Sequence, residues 1–324
     1  MGLPLRGKGG SVSFSGDVKR EISTISTADM ISDGTARAEL AGMLTASAVI
    51  RMKSDDKPVF LFRTETAVAA GRLYRFCRDL YGIKLRVHID GHKQFGQRHA
   101  YCLHCDDPEK ASVILKDTRI LRMITAQREF DIPVVFLSKQ RFLKSYLRGV
   151  FLACGSISDP NKTYRLEMAG RHRAFLFRVA ERLKAYGIKS SVYDKKQLSI
   201  LNIKESESIV TFLGLVGAPK ALLKIENVRV IKSMRNGVNR RTNCDVANVE
   251  KLTAAAQRQI EDIQKLQKAD ALKDMPESVQ ALAKLRVLQP ELSIKELGEM
   301  MEPKLGKSAV YYRLNQIKKR AQTL

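Results

Sequence analysis

Cys102 and Cys105, with Leu103 and His104 between them and His92 and His99 upstream, are residue types that can ligate zinc. One Cys-x-x-Cys without a second pair leaves the ligand set incomplete, and on a strand the two thiols point to opposite faces. No metal is expected there. The cysteines, Cys77, Cys102, Cys105, Cys154 and Cys244, are odd in number and scattered, which fits a reducing compartment better than a disulfide framework. Gly2 to Lys8 superficially matches a phosphate-binding loop, but Gly9 stands where Ser or Thr should follow, and neither a strand nor a helix flanks it. His172, between Arg171 and Arg173, reads as a surface residue. No nucleophile and base stand at a recognisable spacing. The expectation is a chain without catalytic residues, cofactor or enzymatic activity.

Charge points elsewhere. The 324 residues carry 57 Lys+Arg against 34 Asp+Glu, a formal net charge of +23. Such an excess favours a polyanionic partner: nucleic acid first, an anionic membrane surface second. No apolar run approaches the roughly 18–20 residues that span a bilayer. Residues 1–12 are basic and lack the apolar stretch of a signal peptide, so they read as a disordered lead-in to a cytoplasmic, nucleoid-associated protein.

The cations concentrate in two places. From Asn227 to Cys244 no acidic residue occurs; Arg235, Arg240 and Arg241 are interleaved there with Asn236, Asn239 and Asn243. Arginine and asparagine together contact phosphates and base edges, although a solvated linker would have a similar composition. Asp245 reads as the N-cap of a following amphipathic helix with Val246, Val249, Leu252, Ala256, Ile260, Ile263 and Leu266 on one stripe, which must be buried against something. The second concentration is C-terminal. Pro276 opens a helix that Gln289-Pro290 ends, and Ser293 to Glu296 reads as a capping box. A last helix from about Ser308 packs Val310, Leu314 and Ile317 inward and offers Tyr312, Asn315, Gln316 and Lys319 outward. Three short helices with a tight turn between the last two describe a helix-turn-helix. Its candidate DNA contacts are Ser293, Lys295, Lys304, Lys307, Ser308, Tyr312, Arg313, Asn315, Gln316, Lys318 and Lys319.

The elements that position these residues begin with a repeat. Arg37–Ile50 and Lys144–Ile157 both place leucine, any residue, glycine and an apolar run at the same spacing, offset by 107. Tyr81-Gly82-Ile83-Lys84 returns as Tyr186-Gly187-Ile188-Lys189, offset by 105. In each copy alternating segments (Val59–Glu65 and Tyr164–Met168) precede a helix ending at the Tyr-Gly, where glycine supplies the left-handed cap. Strand pairs follow, Lys84–Ile89 with Ala100–Cys105 and Lys189–Tyr193 with Gln197–Ile203, then closing helices near Pro108–Leu121 and Glu205–Leu215. The order is αββαββα, twice: an α+β fold of two antiparallel sheets carrying helices, with a separate all-α C-terminal domain.

The repeated helix resembles the LAGLIDADG motif of homing endonucleases, whose paired motif helices pack closely through glycine; Gly42 and Gly149 would be those interface glycines. In that family the last acidic residue of each motif holds the catalytic metal. Here those positions are Ser47 and Cys154, and the preceding acidic positions are Thr45 and Leu152. None is the carboxylate that two-metal cleavage needs, so the resemblance implies the fold without the chemistry.

From Ser13 onward the order of segments, SFSGDVKREI, RNGVNRRTNCDVANVEKL, MPESVQALAKLR and SIKELGEMMEPKLGKSAVYYRL, is similar to the WhiA family. That resemblance implies a non-catalytic, double-stranded-DNA-binding transcriptional regulator tied to cell division, chromosome segregation and sporulation, with other proteins of transcription or cell division as further partners. Alternatives are an RNA binder of maturase type, a residual metal-dependent nuclease and a mainly protein-binding role. The expected division is lead-in 1–12; a degenerate LAGLIDADG-like domain 13–222 with repeats of about 13–125 and 138–222; a basic connector and long helix 223–270; and a helix-turn-helix domain 271–324.

Overall fold

The computed structural model describes residues 13–53, 56–91, 99–121 and 131–324. The lead-in, the phosphate-loop-like run and His92 lie outside the described residues. The chain divides into two compact units, Met1–Ile231 and Lys232–Leu324.

The first unit is mixed α/β and built twice over. Helices α1 (Phe14–Ser23) and α2 (Thr27–Ser32) lead into the first motif helix, α3 (Thr35–Ser47). Strand β1 (Ala48–Met52) follows without a loop, then β2 (Pro58–Thr64), α4 (Ala67–Tyr81), β3 (Arg86–Gly91), β4 (His99–Cys105) and α5 (Pro108–Asp117). Gly82, at φ 67°, caps α4 in the left-handed region that glycine enters most freely. A short turn of helix, α6 (Val134–Leu137), precedes the second copy. That copy comprises α7 (Gln140–Cys154), β5 (Gly155–Ile157), β6 (Leu166–Gly170), α8 (Arg173–Lys184), β7 (Ser191–Lys195), β8 (Leu198–Ile203) and α9 (Ser206–Val216). Each copy forms an antiparallel four-stranded sheet, ordered β1-β2-β4-β3 and β5-β6-β8-β7.

Alternation along the strands gives each sheet one buried and one outer face. Phe60 and Phe62 of β2 pack with Leu40, Met43, Leu73 and Phe76 in one core. Leu166 and Met168 of β6 pack with Leu147, Phe151, Leu176 and Phe212 in the other. The N-terminal helix joins that second core: Phe14, Val18 and Ile22, four residues apart on one face of α1, are buried in it. Glu21 then accepts from the backbone amides of Lys220 (2.6 Å) and Ala221 (3.0 Å), anchoring α1 to the start of the next helix.

That next helix corrects the expectation of a connector. Helix α10 runs unbroken from Pro219 to Lys268 through all of Asn227–Cys244, and Asp245 lies inside it rather than at its N-cap. Between Pro219 and Pro276 the chain has no proline and a single glycine, Gly237. One glycine costs a helix interior only about 1 kcal/mol, too little to stop it. The division between the units falls inside this helix. Its expected stripe is only half covered: Ala256, Ile263 and Leu266 are buried, whereas Val246, Val249 and Leu252 are exposed.

The second unit closes on a small core of Ile263, Leu266, Leu282, Leu297, Val310, Leu314 and Ile317. It holds α11 (Glu277–Leu288), α12 (Ile294–Glu299) and α13 (Lys307–Gln322). A Cβ on Gly298 would lie 2.1 Å from the Leu305 carbonyl oxygen, so the chain between α12 and α13 folds tightly back on this glycine. Lys265 of α10 donates to the Ala321 carbonyl at 2.8 Å, tying the end of α13 to the same unit. No helix among the described residues is long and apolar enough to cross a membrane.

Candidate nucleic-acid interfaces

In the first unit the motif helices α3 and α7 pack at backbone contact. A Cβ on Gly42 would lie 2.1 Å from the Tyr146 carbonyl oxygen, and one on Gly149 would lie 2.0 Å from that of Glu39. Beside this contact the buried Glu39 carboxylate pairs with Arg72 of α4 and with Nη1 of Arg148 on α7, at 3.2 Å. Arg72 also donates to the carbonyls of Ser23 (3.1 Å) and Ile25 (2.9 Å), and Arg148 Nε donates to that of Val216 (2.8 Å). The triad therefore ties both repeats and the α1–α2 link together. Sequence reasoning passed over it, because Glu39 precedes the motif leucine and looks like a solvent-facing helix residue.

The last residues of both motif helices line a groove of about 1770 Å³, with β1 and β2 on one side and β5 and β6 on the other. Strand register sets what faces outward. Leu61 pairs with His104, and His104 with Arg86; Arg63 pairs with Cys102, and Cys102 with His88. The outer face of the first sheet thus carries Arg63, Arg86, His88 and His104, with Arg86 paired to Asp106 at 2.9 Å and His88 to Asp90 at 2.9 Å. Its counterpart on the second sheet carries Ser156, Glu167, Asn202 and Ser191 in one row, with Ala169, Ile200 and Tyr193 in the next. Cys102 lies on the outer face, its thiol donating to Asp90 Oδ2 at 3.3 Å, while Cys105 joins the first core.

Ser47 and Cys154 both reach this groove. Cys154 donates to the Val150 carbonyl at 3.3 Å, and burial pushes its thiol up to about 12, so at neutral pH it is not a thiolate ligand. A divalent metal at the ends of the motif helices, which the LAGLIDADG resemblance implies, does not fit these residues. Among the described residues no group of three or more His, Cys, Asp or Glu is arranged to hold a metal. What the groove does hold is a lysine. Lys19 of α1, 5 % exposed, donates to the Leu152 carbonyl at 3.0 Å. Burial pulls its ammonium down from 10.5 to about 8, against the opposing influence of Cys154 and Glu65. Arg51, Arg63 and Arg171 line the groove around it, and Glu65 is the one carboxylate residue in the lining.

In the second unit the capping box of α12 is formed: Ser293 Oγ accepts from the Glu296 amide at 3.3 Å, and the Glu296 carboxylate accepts from the Ser293 amide at 2.8 Å. The Ser293 hydroxyl is therefore engaged as a cap, and Lys295 pairs with Glu299 at 3.7 Å. On α13, Val310, Leu314, Ile317 and Ala321 are buried, which turns Ser308, Tyr312, Asn315 and Lys319 to the opposite face. Lys304, Lys307, Ser308, Tyr312, Lys318 and Lys319 are exposed, whereas Asn315 and Gln316 are half-buried. Arg313 sits differently from the expected open cation: it is half-buried on the flank, donating to Ser278 Oγ (3.3 Å) and the Ala309 carbonyl (3.5 Å). Tyr311, 63 % exposed beside Tyr312, was not singled out by the sequence pattern.

Along α10, Arg235, Asn236, Asn239, Arg240 and Asn243 are all exposed. Steps of four residues (235, 239, 243 and 236, 240) put them in two adjacent rows on one face. Arg241 is exposed too but falls on the other side, with Met234 and Val238. A helical scaffold rather than a flexible linker presents this set.

Residues 33–121 match the family model described as the WhiA N-terminal LAGLIDADG-like domain. Residues 143–235 match the WhiA LAGLIDADG-like domain, and 238–321 the WhiA C-terminal HTH domain. A Clostridium novyi protein named "Probable cell division protein WhiA" is 34% identical over 97% of this chain and 98% of its own. A Clostridium tetani protein of the same name is 33% identical over 97% and 98%. The crystal structure of full-length WhiA from Thermotoga maritima covers 96% of this chain and 99% of its own at 23% identity, TM-score 0.57. The N-terminal LAGLIDADG domain of WhiA covers 70% of this chain and 100% of its own at 21% identity, TM-score 0.50.

Proposed function

The chain belongs to the WhiA family, and on that premise we propose that it is a non-catalytic regulator of transcription that binds double-stranded DNA. It acts in cell division, chromosome segregation and sporulation, in the cytoplasm and on the nucleoid, with other proteins of transcription or cell division as partners. The observation that carries this reading is the outward face of α13. Its polar row of Tyr312, Asn315, Gln316 and Lys319 stands opposite the buried Val310, Leu314 and Ile317, flanked by the exposed Lys307 and Lys318. A helix with hydrogen-bonding side chains on one face and cations at its ends fits the major groove, where bases are read and phosphates hold the register. The polar rows of α10 add phosphate contacts on a regular helical spacing.

The absence of cleavage follows from chemistry at the groove. Ser47 offers a neutral hydroxyl and Cys154 a neutral thiol where magnesium would need anionic oxygen. The test has two arms. Purified protein incubated with sheared genomic DNA of its host should retain a reproducible subset of fragments, and Gln316→Ala should blur that subset. Supercoiled plasmid incubated with the protein and magnesium or manganese should stay intact. Random fragment recovery sinks the sequence-reading claim, and cleavage abolished by Cys154→Ala sinks the non-catalytic one.

A further inference from the structure

Both motif helices end on the groove, with Ser47 the last residue of α3 and Cys154 the last of α7. The final carbonyls of a helix carry partial negative charge, so two such ends on one groove repel a phosphate. A divalent ion would cancel that repulsion, but the side chains here cannot hold one. Lys19 reverses the sign instead. It arrives on α1, ahead of the first motif helix, and its ammonium donates to the carbonyl of Leu152, two residues before Cys154, at 3.0 Å. Among the described residues that carbonyl is its only hydrogen-bond partner; the ammonium also lies 5.8 Å from the centroid of the Phe151 ring and lines the groove.

The position of α1 makes this placement firm. Phe14, Val18 and Ile22 are buried in the second repeat's core, and Ser15 Oγ accepts from the Ile157 amide of β5 at 3.2 Å. An apolar side chain at position 19 would fasten α1 at lower cost, because burying an ammonium strips its water, and here only a carbonyl oxygen, the Phe151 ring at 5.8 Å and the charge of Glu65 oppose that loss. The charge asks for an anionic ligand. Arg51 and Arg63 reach the groove from the first sheet and Arg171 from the second.

We propose that the Lys19 ammonium is a fixed monovalent substitute for the lost metal ion, and that it binds a backbone phosphate of duplex DNA lying across the two sheets. An ammonium neutralises the helix ends and attracts phosphate, yet it activates no water, so the strand is gripped and not cut. The inference rests on the duplex-binding function above and gives it a second contact region, in the first unit.

The test uses the full chain and a random-sequence duplex of about 30 base pairs, followed by fluorescence anisotropy over a series of potassium chloride concentrations. Each phosphate contact contributes about 0.9 to the slope of log affinity against log salt. Lys19→Met should weaken binding several-fold and flatten that slope by about one contact, and Lys19→Arg should restore most of both. The same pair is measured in a Lys318→Ala, Lys319→Ala background. Slope lost with the tail lysines but not with Lys19→Met overturns the groove contact and leaves the helix-turn-helix reading standing. Slope lost with Lys19→Met alone keeps the groove and sinks the tail. A structured RNA hairpin that displaces the duplex at matched salt also overturns the proposal. Should Lys19→Met fail to fold by circular dichroism, the exposed Arg51→Gln and Arg171→Gln carry the same measurement, and unchanged slopes in both overturn it.

Discussion

Gly42 and Gly149 are each the gap into which the other motif helix fits: the space a Cβ on Gly42 would need is held by the Tyr146 carbonyl, and the space beside Gly149 by that of Glu39. Neither obstacle is a flexible side-chain tip. Both are backbone, so an added methyl must push the helices apart.

Gly149→Ala should therefore destabilise the first unit although alanine is the better helix former. Overpacking costs about 1–3 kcal/mol or more, against about 1 kcal/mol regained in helix propensity. In calorimetry of the full chain the transition of the first unit should move down and that of the second should stay. Equal movement of both would show that the contact is not local to the first unit.

Glu39→Gln should be more damaging than its isosteric shape suggests. It leaves the fully buried Arg72 and the nearly buried Arg148 without their shared carboxylate. Breaking a buried ion pair from one side costs about 3–5 kcal/mol. Urea unfolding followed by far-ultraviolet circular dichroism checks it; a loss below about 1 kcal/mol would show the arginines re-paired.

Lys19 makes stability depend on pH in a particular direction. Below about pH 8 it is protonated in folded and unfolded chains alike, and the fold bears the full penalty of the buried charge. Between about 8 and 10.5 the unfolded chain keeps the proton while the folded chain releases it, so raising the pH through that window favours the fold. The gap corresponds to about 3 kcal/mol at most. Lys19→Met should be the more stable protein at pH 7, and its stability should rise less between pH 8 and 10 than that of the parent. Parallel profiles would show that the lysine is not buried in solution.

On α13 the two polar side chains should behave differently. Lys319→Ala should weaken all duplexes alike and reduce the salt slope by about one. Gln316→Ala should compress the difference between preferred and random sites by about 1–3 kcal/mol. Competition titrations against both duplexes separate the two; identical behaviour would place neither at a base edge.

Local patterns made much of the molecule legible. The Leu-x-Gly helices and the Tyr-Gly ends are short-range features whose spacing is visible in the chain, and their duplication gives the two-sheet fold. The capping box at Ser293 and Glu296 is equally local, because both partners lie within one helical turn. The long helix was misread for a physical reason: a dense run of arginine and asparagine resembles a linker, whereas only a proline or several glycines would have broken α10.

What the sequence determined, then, is the set of elements, the overall charge and the absence of a carboxylate at positions 47 and 154. Tertiary structure alone decided which charges are buried and what they face. Lys19 follows the buried Val18 on an amphipathic helix and reads as solvated until α1 docks on the second repeat. Glu39, Arg72 and Arg148 are far apart in the chain and meet only when the two copies close on each other. Periodicity reports which face of an element is apolar; which partner covers that face, and so where a charge loses its water, is set by contacts between residues distant in sequence.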